Sequence, residues 1–294
     1  MTKRYLKDEL QGFVPTEQAS EIIKDVVRGS SILRLSKVEP MESDVKKFPV
    51  WADKPGAYWV GESERINTSK ASWIFPEMHA KKLAVIIPTT KEKLKDPTID
   101  VFAELKPAIA EAFYTAIDSA CLFGTNSPFS KSVFDAATTA ENVLERTKDF
   151  TVDASDLMGE IEEAGLDVNG FCAHYGIKKE LRNLRDANGN QLFVSGVSQS
   201  TLYDNPIEFS RNGAFDKSKG DIIAADWTKS IVGLRDGIEY SILTEATLQN
   251  VTMEDGKPLS LAENDMIAIK ATMRLGYLPV KDEAFAVLKP KVGA

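Results

Sequence analysis

Two cysteines, Cys121 and Cys172, and two histidines, His79 and His174, are all that 294 residues offer of thiol and imidazole. One pair of cysteines builds no disulfide framework and fits a reducing compartment. The two histidines stand far apart, and neither has a partner at metal-ligand spacing, so no metal is expected. CxxC, HExxH and GxGxxG are absent, and the sole Gly-Lys pair, Gly256-Lys257, runs into Pro258 rather than into the hydroxyl of a phosphate loop. Gly196-Val-Ser198-Gln-Ser200 lacks the second glycine of a nucleophile elbow. No apolar run approaches 18 residues, which excludes a spanning helix, and Met1-Thr-Lys-Arg-Tyr has no apolar signal stretch. Basic side chains number 36 against 44 acidic ones, and the resulting −8 argues against a general binder of nucleic acid or anionic membrane. Cys121 falls on a helical apolar stripe and Cys172 inside an apolar strand, as buried structural thiols do. His79 is expected on a strand surface and His174 in or near a core. No catalytic residue and no cofactor is expected. The opposing reading is a soluble α/β hydrolase using His174 or Cys172, since a triad is recognised by geometry rather than order.

Aromatic residues are concentrated in one stretch. From Phe48 to Phe75 there are 6 in 28 residues, including three of the four tryptophans, against 9% overall. Pro49, Pro55, Gly56, Gly61 and Pro76 interrupt it, and helical periodicity is missing. A long two-stranded hairpin within 41–88, with residues 61–70 near its tip, accounts for this pattern. Arms of roughly 15 residues reach about 50 Å. An isolated ribbon is marginal in water, so it either folds back on its own domain or lies on another chain.

Ahead of it, residues 1–14 read as an arm, Pro15-Thr16 opens a helix bearing Ile22, Ile23, Val26 and Val27, and Ile32–Leu35 reads as a short strand. After it comes a helical turn at Lys91–Lys95, then the strongest helix of the chain, Thr98 to Leu122. Phe102, Leu105, Ile109, Phe113 and Ile117 form its stripe, Pro107 interrupts it, and Gly124 can end it. Residues 125–240 alternate between helix and strand. Helices are expected near 137–147, 151–164 and 178–185, the last ended by Asn188-Gly189. Strands are expected at 171–175, 193–194, 207–209, 221–225 and 231–232, with Asp236-Gly237 turning the chain into 238–243. Ile267, Ile269, Ala271, Met273 and Leu275 alternate with Ala268, Lys270, Thr272 and Arg274 as in a half-buried strand; Tyr277-Leu-Pro279 turns the chain, and 284–288 closes it.

Several stretches resemble the major capsid proteins of tailed bacteriophages, the Hong Kong 97-type fold that encapsulins share. Val14-Pro-Thr-Glu-Gln-Ala-Ser-Glu-Ile-Ile resembles the start of the capsid arm, and Trp59-Val-Gly-Glu62 the extended hairpin, or E-loop. The run from Leu83 to Phe129 is the most similar: an apolar strand, a Lys-Glu-Lys-Leu turn, Asp96, a long helix with Asp118 near its end, then Leu122-Phe-Gly124 and Pro128-Phe129. Asp221-Ile-Ile-Ala-Ala-Asp226-Trp and Arg274-Leu-Gly-Tyr-Leu-Pro-Val also match in order.

The resemblance implies an α+β fold in five parts: arm and helix (1–35), E-loop (36–88), spine helix of the peripheral domain (89–128), inserted apical domain (129–240), and a return to the peripheral domain (241–294). It implies a structural shell protein, not an enzyme, that self-assembles through hexamers and pentamers into an icosahedral head in the host cytoplasm. A scaffolding protein and a portal are expected partners, with double-stranded DNA enclosed but not gripped, and no membrane. Trp51, Tyr58, Trp59, Glu62, Arg65, Trp73 and Phe75 are then the hairpin's subunit-interface residues. Phe102, Leu105, Ile109, Phe113 and Ile117 are the spine's core face. A cellular encapsulin-type compartment is the alternative within the fold. Some family members crosslink a hairpin lysine to an asparagine; Lys70 and Asn264 match only by region, so no crosslink is expected. Because the chain begins almost at the arm, scaffolding is expected from a separate protein or to have been removed already.

Overall fold

The computed structural model describes residues 25–291 apart from 54–56, 58, 61, 63–64, 66–67, 70–71, 92–100, 148, 186–200 and 254–255, and the side chains of 52–53 and 101–104. The expected arm, most of the first helix, the 91–95 turn after Lys91, Asn188-Gly189, the 193–194 strand, Ser198, Tyr58, Lys70 and the side chain of Phe102 lie outside the described residues.

In chain order the elements are α1 (Ser31–Leu35), β1 (Lys37–Pro40), β2 (Val45–Lys47), β3 (Val50–Asp53), β4 (Ser72–Ile74), β5 (Glu77–His79), β6 (Lys81–Thr90), α2 (Val101–Phe123), α3 (Val133–Thr139), β7 (Val143–Glu145), α4 (Phe150–Glu163), β8 (Gly170–His174), α5 (Ile177–Asn183), β9 (Thr201–Leu202), β10 (Asn205–Ser210), β11 (Ile222–Ala225), β12 (Ser230–Leu243), β13 (Thr247–Thr252), β14 (Pro258–Ser260), β15 (Met266–Pro279) and β16 (Phe285–Lys289). A four-stranded sheet runs β1-β12-β15-β6, a six-stranded sheet β7-β16-β11-β8-β10-β9, and β2-β5, β3-β4 and β13-β14 form two-stranded ribbons.

Helix α2 is the spine. Its 23 residues make a rod of about 35 Å. The stripe read from the sequence faces inward: Ile109, Phe113 and Ile117 are buried, Leu105 packs partly buried against them, and the helix runs unbroken through Pro107. Gly124 follows with φ 67, a conformation that suits glycine, and its N–H bonds the Ala120 carbonyl at 3.2 Å. Together with α3, this helix covers one face of the six-stranded sheet through Cys172, Ile223, Phe285 and Val287; the same cluster runs on to Met273 and Tyr277 of β15. Helices α4 and α5 cover the opposite face through Leu157, Ile161, Ile177 and Leu181. Buried on both sides, β11 is the uninterrupted apolar run Ile222-Ile-Ala-Ala225.

Five expectations are corrected. Residues 31–35 form a helix, not a strand, because Ser30 caps it and the Asp118 carboxylate accepts its first free N–H groups. The helix expected at 137–147 is α3 followed by β7: a Ser132–Asp135 capping box starts it early, and Glu141 with φ 63 reverses the chain. Asp236-Gly237 is no hairpin turn. Neither residue has the positive φ that such a turn needs, and β12 passes through in one piece with bulges against β15. The alternation in β15 does not leave one face wet: Ala268 is covered by Leu259 and Leu261, and Leu278 by Met41 and Met78. Residues 277–279 do not turn but stay in β15, with Ser230 opposite Pro279. The closing strand β16 lies in the six-stranded sheet, parallel to β7 and antiparallel to β11, apart from β15.

Candidate assembly surface

The expected hairpin is present but shorter than 36–88: its arms pair only as β2–β5 and β3–β4, while 37–40 and 81–90 form β1 and β6, the two edges of the four-stranded sheet that holds its root. Strands β2 and β5 pair Lys46 with Met78, and further out β3 and β4 pair Trp51 with Trp73. Met78 is completely buried and packs with Met41, Ile231 and Leu278. The sheet makes room for these methionines with a pair of glycines. Gly233 and Gly276 stand opposite each other in β12 and β15. A Cβ at Gly276 would come within 2.7 Å of Met78 Cγ, and one at Gly233 would collide with both methionine side chains. Glycine inside a strand often marks such a close approach.

Ion pairs surround the root. Asp44 pairs with Arg235 and lies 3.7 Å from Arg274. Glu39 takes Lys37 and Lys46, each at 2.7 Å, and Glu77 takes Lys47 at 2.7 Å. Lys37 foremost and Lys46 hold Glu39 below the ordinary carboxylate range, and Lys47 does the same for Glu77. Most of these pairs have at least one partner open to solvent, so each fixes geometry more than it stabilises.

Beyond the root, the apolar side chains turn to water. Trp51, Trp73, Ile74 and Phe75 are exposed, and Trp59 is fully so. The Trp51 and Trp73 rings meet across the ribbon, 3.6 Å apart between centroids and tilted by 33°. Glu62 and Arg65 are exposed near the tip. Among the described residues, none between 50 and 77 belongs to a hydrophobic cluster. A patch of large rings without a core of its own is the mark of a contact surface. The tryptophan density was legible in the sequence. The Met41–Met78 anchor and its glycine bed were not, although two glycines within otherwise apolar strands were the available signal.

A second device ties the N-terminal segment to the spine. Asp118 of α2 is buried and accepts four hydrogen bonds: Ser30 Oγ at 2.6 Å, Ser31 N–H at 2.9 Å, Ile32 N–H at 3.1 Å and Asn212 Nδ2 at 2.6 Å. Burial pushes its carboxyl up, and the four donors pull it partly back. Asp118→Ala strands four donors in a dry site and is expected to cost about 3 kcal/mol or more. Asp118→Asn turns one acceptor into a donor facing donors and is expected to cost nearly as much. Urea unfolding checks both; a loss under about 0.5 kcal/mol for either contradicts the lock.

The groups weighed for catalysis are dispersed. Cys121 and Cys172 are wholly buried, and desolvation pushes both thiols well up, away from the reactive thiolate. His174 accepts the Gly176 N–H at Nδ1, 2.9 Å away, and burial followed by Lys217 lowers its pKa. His79 lies exposed at the hairpin root, 3.7 Å from Glu77. Among the described residues no group of His, Cys, Asp and Glu is arranged to hold a metal, and no helix is long and apolar enough to cross a membrane.

The profile of the phage capsid family matches residues 11–289. The major capsid protein of Staphylococcus phage 80alpha is 38% identical over 287 residues, covering 97% of this chain and 87% of that protein. The probable major capsid protein gp17 of Mycobacterium phage D29 is 21% identical, covering 95% and 90%. Among solved structures, a chain of Microbacterium phage Oxtober96 superposes with a TM-score of 0.79 at 26% identity over 90% of this chain and 91% of its own. A capsid chain of a native GTA particle shares the fold at 14% identity, with a TM-score of 0.69 over 99% and 95%. The chain belongs to the phage capsid family. It is a structural subunit of a self-assembling capsid shell, with the Hong Kong 97-type fold.

Proposed function

We propose that this chain is the major subunit of an icosahedral phage head, arranged as hexamers and pentamers around double-stranded DNA. The single observation that carries the reading is the rooted hairpin, whose outer rings are exposed in one copy. Trp51, Tyr58, Trp59, Glu62, Arg65, Trp73 and Phe75 serve there as the contact with a neighbouring copy; tryptophan and tyrosine are typical of interface hot spots. The spine helix and four-stranded sheet make the peripheral domain, and the six-stranded sheet the apical one, so that β16, expected with 241–294 in the peripheral domain, belongs to the apical sheet. The role is structural rather than enzymatic. A net charge of −8 suits a wall that encloses DNA without holding it. Assembly takes place in the host cytoplasm with a scaffolding protein and a portal. Shells form without a covalent crosslink, since Lys70 and Asn264 match the crosslinking pair only by region.

Expression of the chain, alone and with its scaffold, followed by light scattering and negative-stain imaging, tests the reading. Closed shells tens of nanometres wide are expected. A monodisperse particle near 32 kDa under both conditions overturns it.

A further inference from the structure

Residues 149–167, helix α4 and the turn after it, hold seven acidic side chains and no basic one. Two of them start the helix. Asp149 accepts the Thr151 N–H at 3.1 Å, and buried Asp153 accepts Thr147 N–H at 2.9 Å and Thr147 Oγ1 at 2.6 Å. The other five are Asp156, Glu160, Glu162, Glu163 and Asp167. Leu157 and Ile161 point into the core, so these five stand on the outward side, and among the described residues none is paired with a cation.

The same side of the six-stranded sheet carries the opposite sign on α5 and at Arg211, just after β10. Lys179, Arg182 and Arg211 are exposed, as is the ring of Tyr175. Two of the cations in this patch are held in place by rings. Lys178 Nζ lies 4.9 Å from the Phe209 centroid and 5.5 Å from that of Tyr175, and the Arg211 guanidinium sits 5.4 Å from Tyr175. The acids nearby are engaged elsewhere: Glu180 with Arg146, Glu208 with Arg34, and Asp216 with Ser218. Among the described residues no ion pair joins the two surfaces within one chain.

We propose that the acidic side of α4 in one copy docks onto the Tyr175–Lys178–Arg211 patch of the next copy. This rests on the shell reading above. The two surfaces differ, so the contact is heterologous; repeated with a rotation that closes, as in the hexamers and pentamers proposed above, it makes a ring in which every copy uses both faces. Complementary charge steers such encounters and fixes their register. A second copy fits the patch better than nucleic acid does, because the five unpaired acids on the same side of the sheet repel a polyanion.

The test is a charge swap in the full chain. Lys179→Glu with Arg211→Glu, and separately Glu160→Lys with Glu163→Lys, are each expected to fold normally and to lose at least tenfold in shell yield. Combining all four substitutions in one chain is expected to recover most of that loss, and wild-type assembly is expected to slow as salt rises. Should a reversal pair fail to fold, Lys179→Gln with Arg211→Gln is measured in its place. Wild-type yield from either pair, or no recovery in the fourfold variant, overturns the proposal. Normal shells that retain less DNA in the basic-side variant also overturn it and give the patch to nucleic acid. Absence of wild-type shells counts against the shell reading itself; intact wild-type shells with indifferent variants count against this contact alone.

Discussion

Phe113→Asp yields no folded subunit. Phe113 is 1% exposed in the middle of the spine and belongs to the largest hydrophobic cluster. Truncating a buried phenylalanine costs about 3–5 kcal/mol. The new carboxylate adds the cost of an unpaired polar group in an apolar site, several kcal/mol more. Domain stability is only about 5–15 kcal/mol, so the sum removes most or all of it. Soluble yield and a thermal melt followed by circular dichroism read the result. Glu111→Ala, an exposed position on the same helix, is the control and is expected to shift stability by under about 0.5 kcal/mol. A soluble Phe113→Asp protein with a cooperative melt would show that this face of the spine is not in the core.

Trp59→Ala, and more strongly a deletion of residues 61–70, separates assembly from folding. Among the described residues the outer hairpin contributes to no hydrophobic cluster, whereas its root is fixed by Met41 and Met78. The subunit is therefore expected to keep its melting temperature within a few degrees. A tryptophan at an interface hot spot is worth about 2 kcal/mol or more per contact. Each 1.4 kcal/mol is about tenfold in an equilibrium constant, and the loss repeats at every contact of a shell. Imaging is expected to show few closed shells for Trp59→Ala and none for the deletion. Normal shells from both would remove the hairpin from assembly.

The spine was legible because its stripe answers to one periodicity over six turns, so Ile109, Phe113 and Ile117 could be placed inside without knowing what they touch. Helix α1 was not. Its five residues form a helix only because Asp118, more than 80 positions away, accepts their N–H groups. In β15 alternation was present but misleading, since its second face is covered at one end by β14 and at the other by the hairpin root. The bulges of β12 resemble a turn locally and are overruled by pairing with β15. The proposed assembly surface divides in the same way. Its aromatic density is a local property and could be read. Its anchor depends on two glycines that become opposite partners only when β12 and β15 pair.

The central claim is that this hairpin is completed by another copy of the chain. An electron cryo-microscopy map of the assembled shell tests it most directly. The account predicts Trp51, Trp59, Trp73 and Phe75 covered by a neighbouring subunit, with the Met41–Met78 root unchanged. Rings left in solvent within a closed shell, or folded back onto their own sheet, would contradict it.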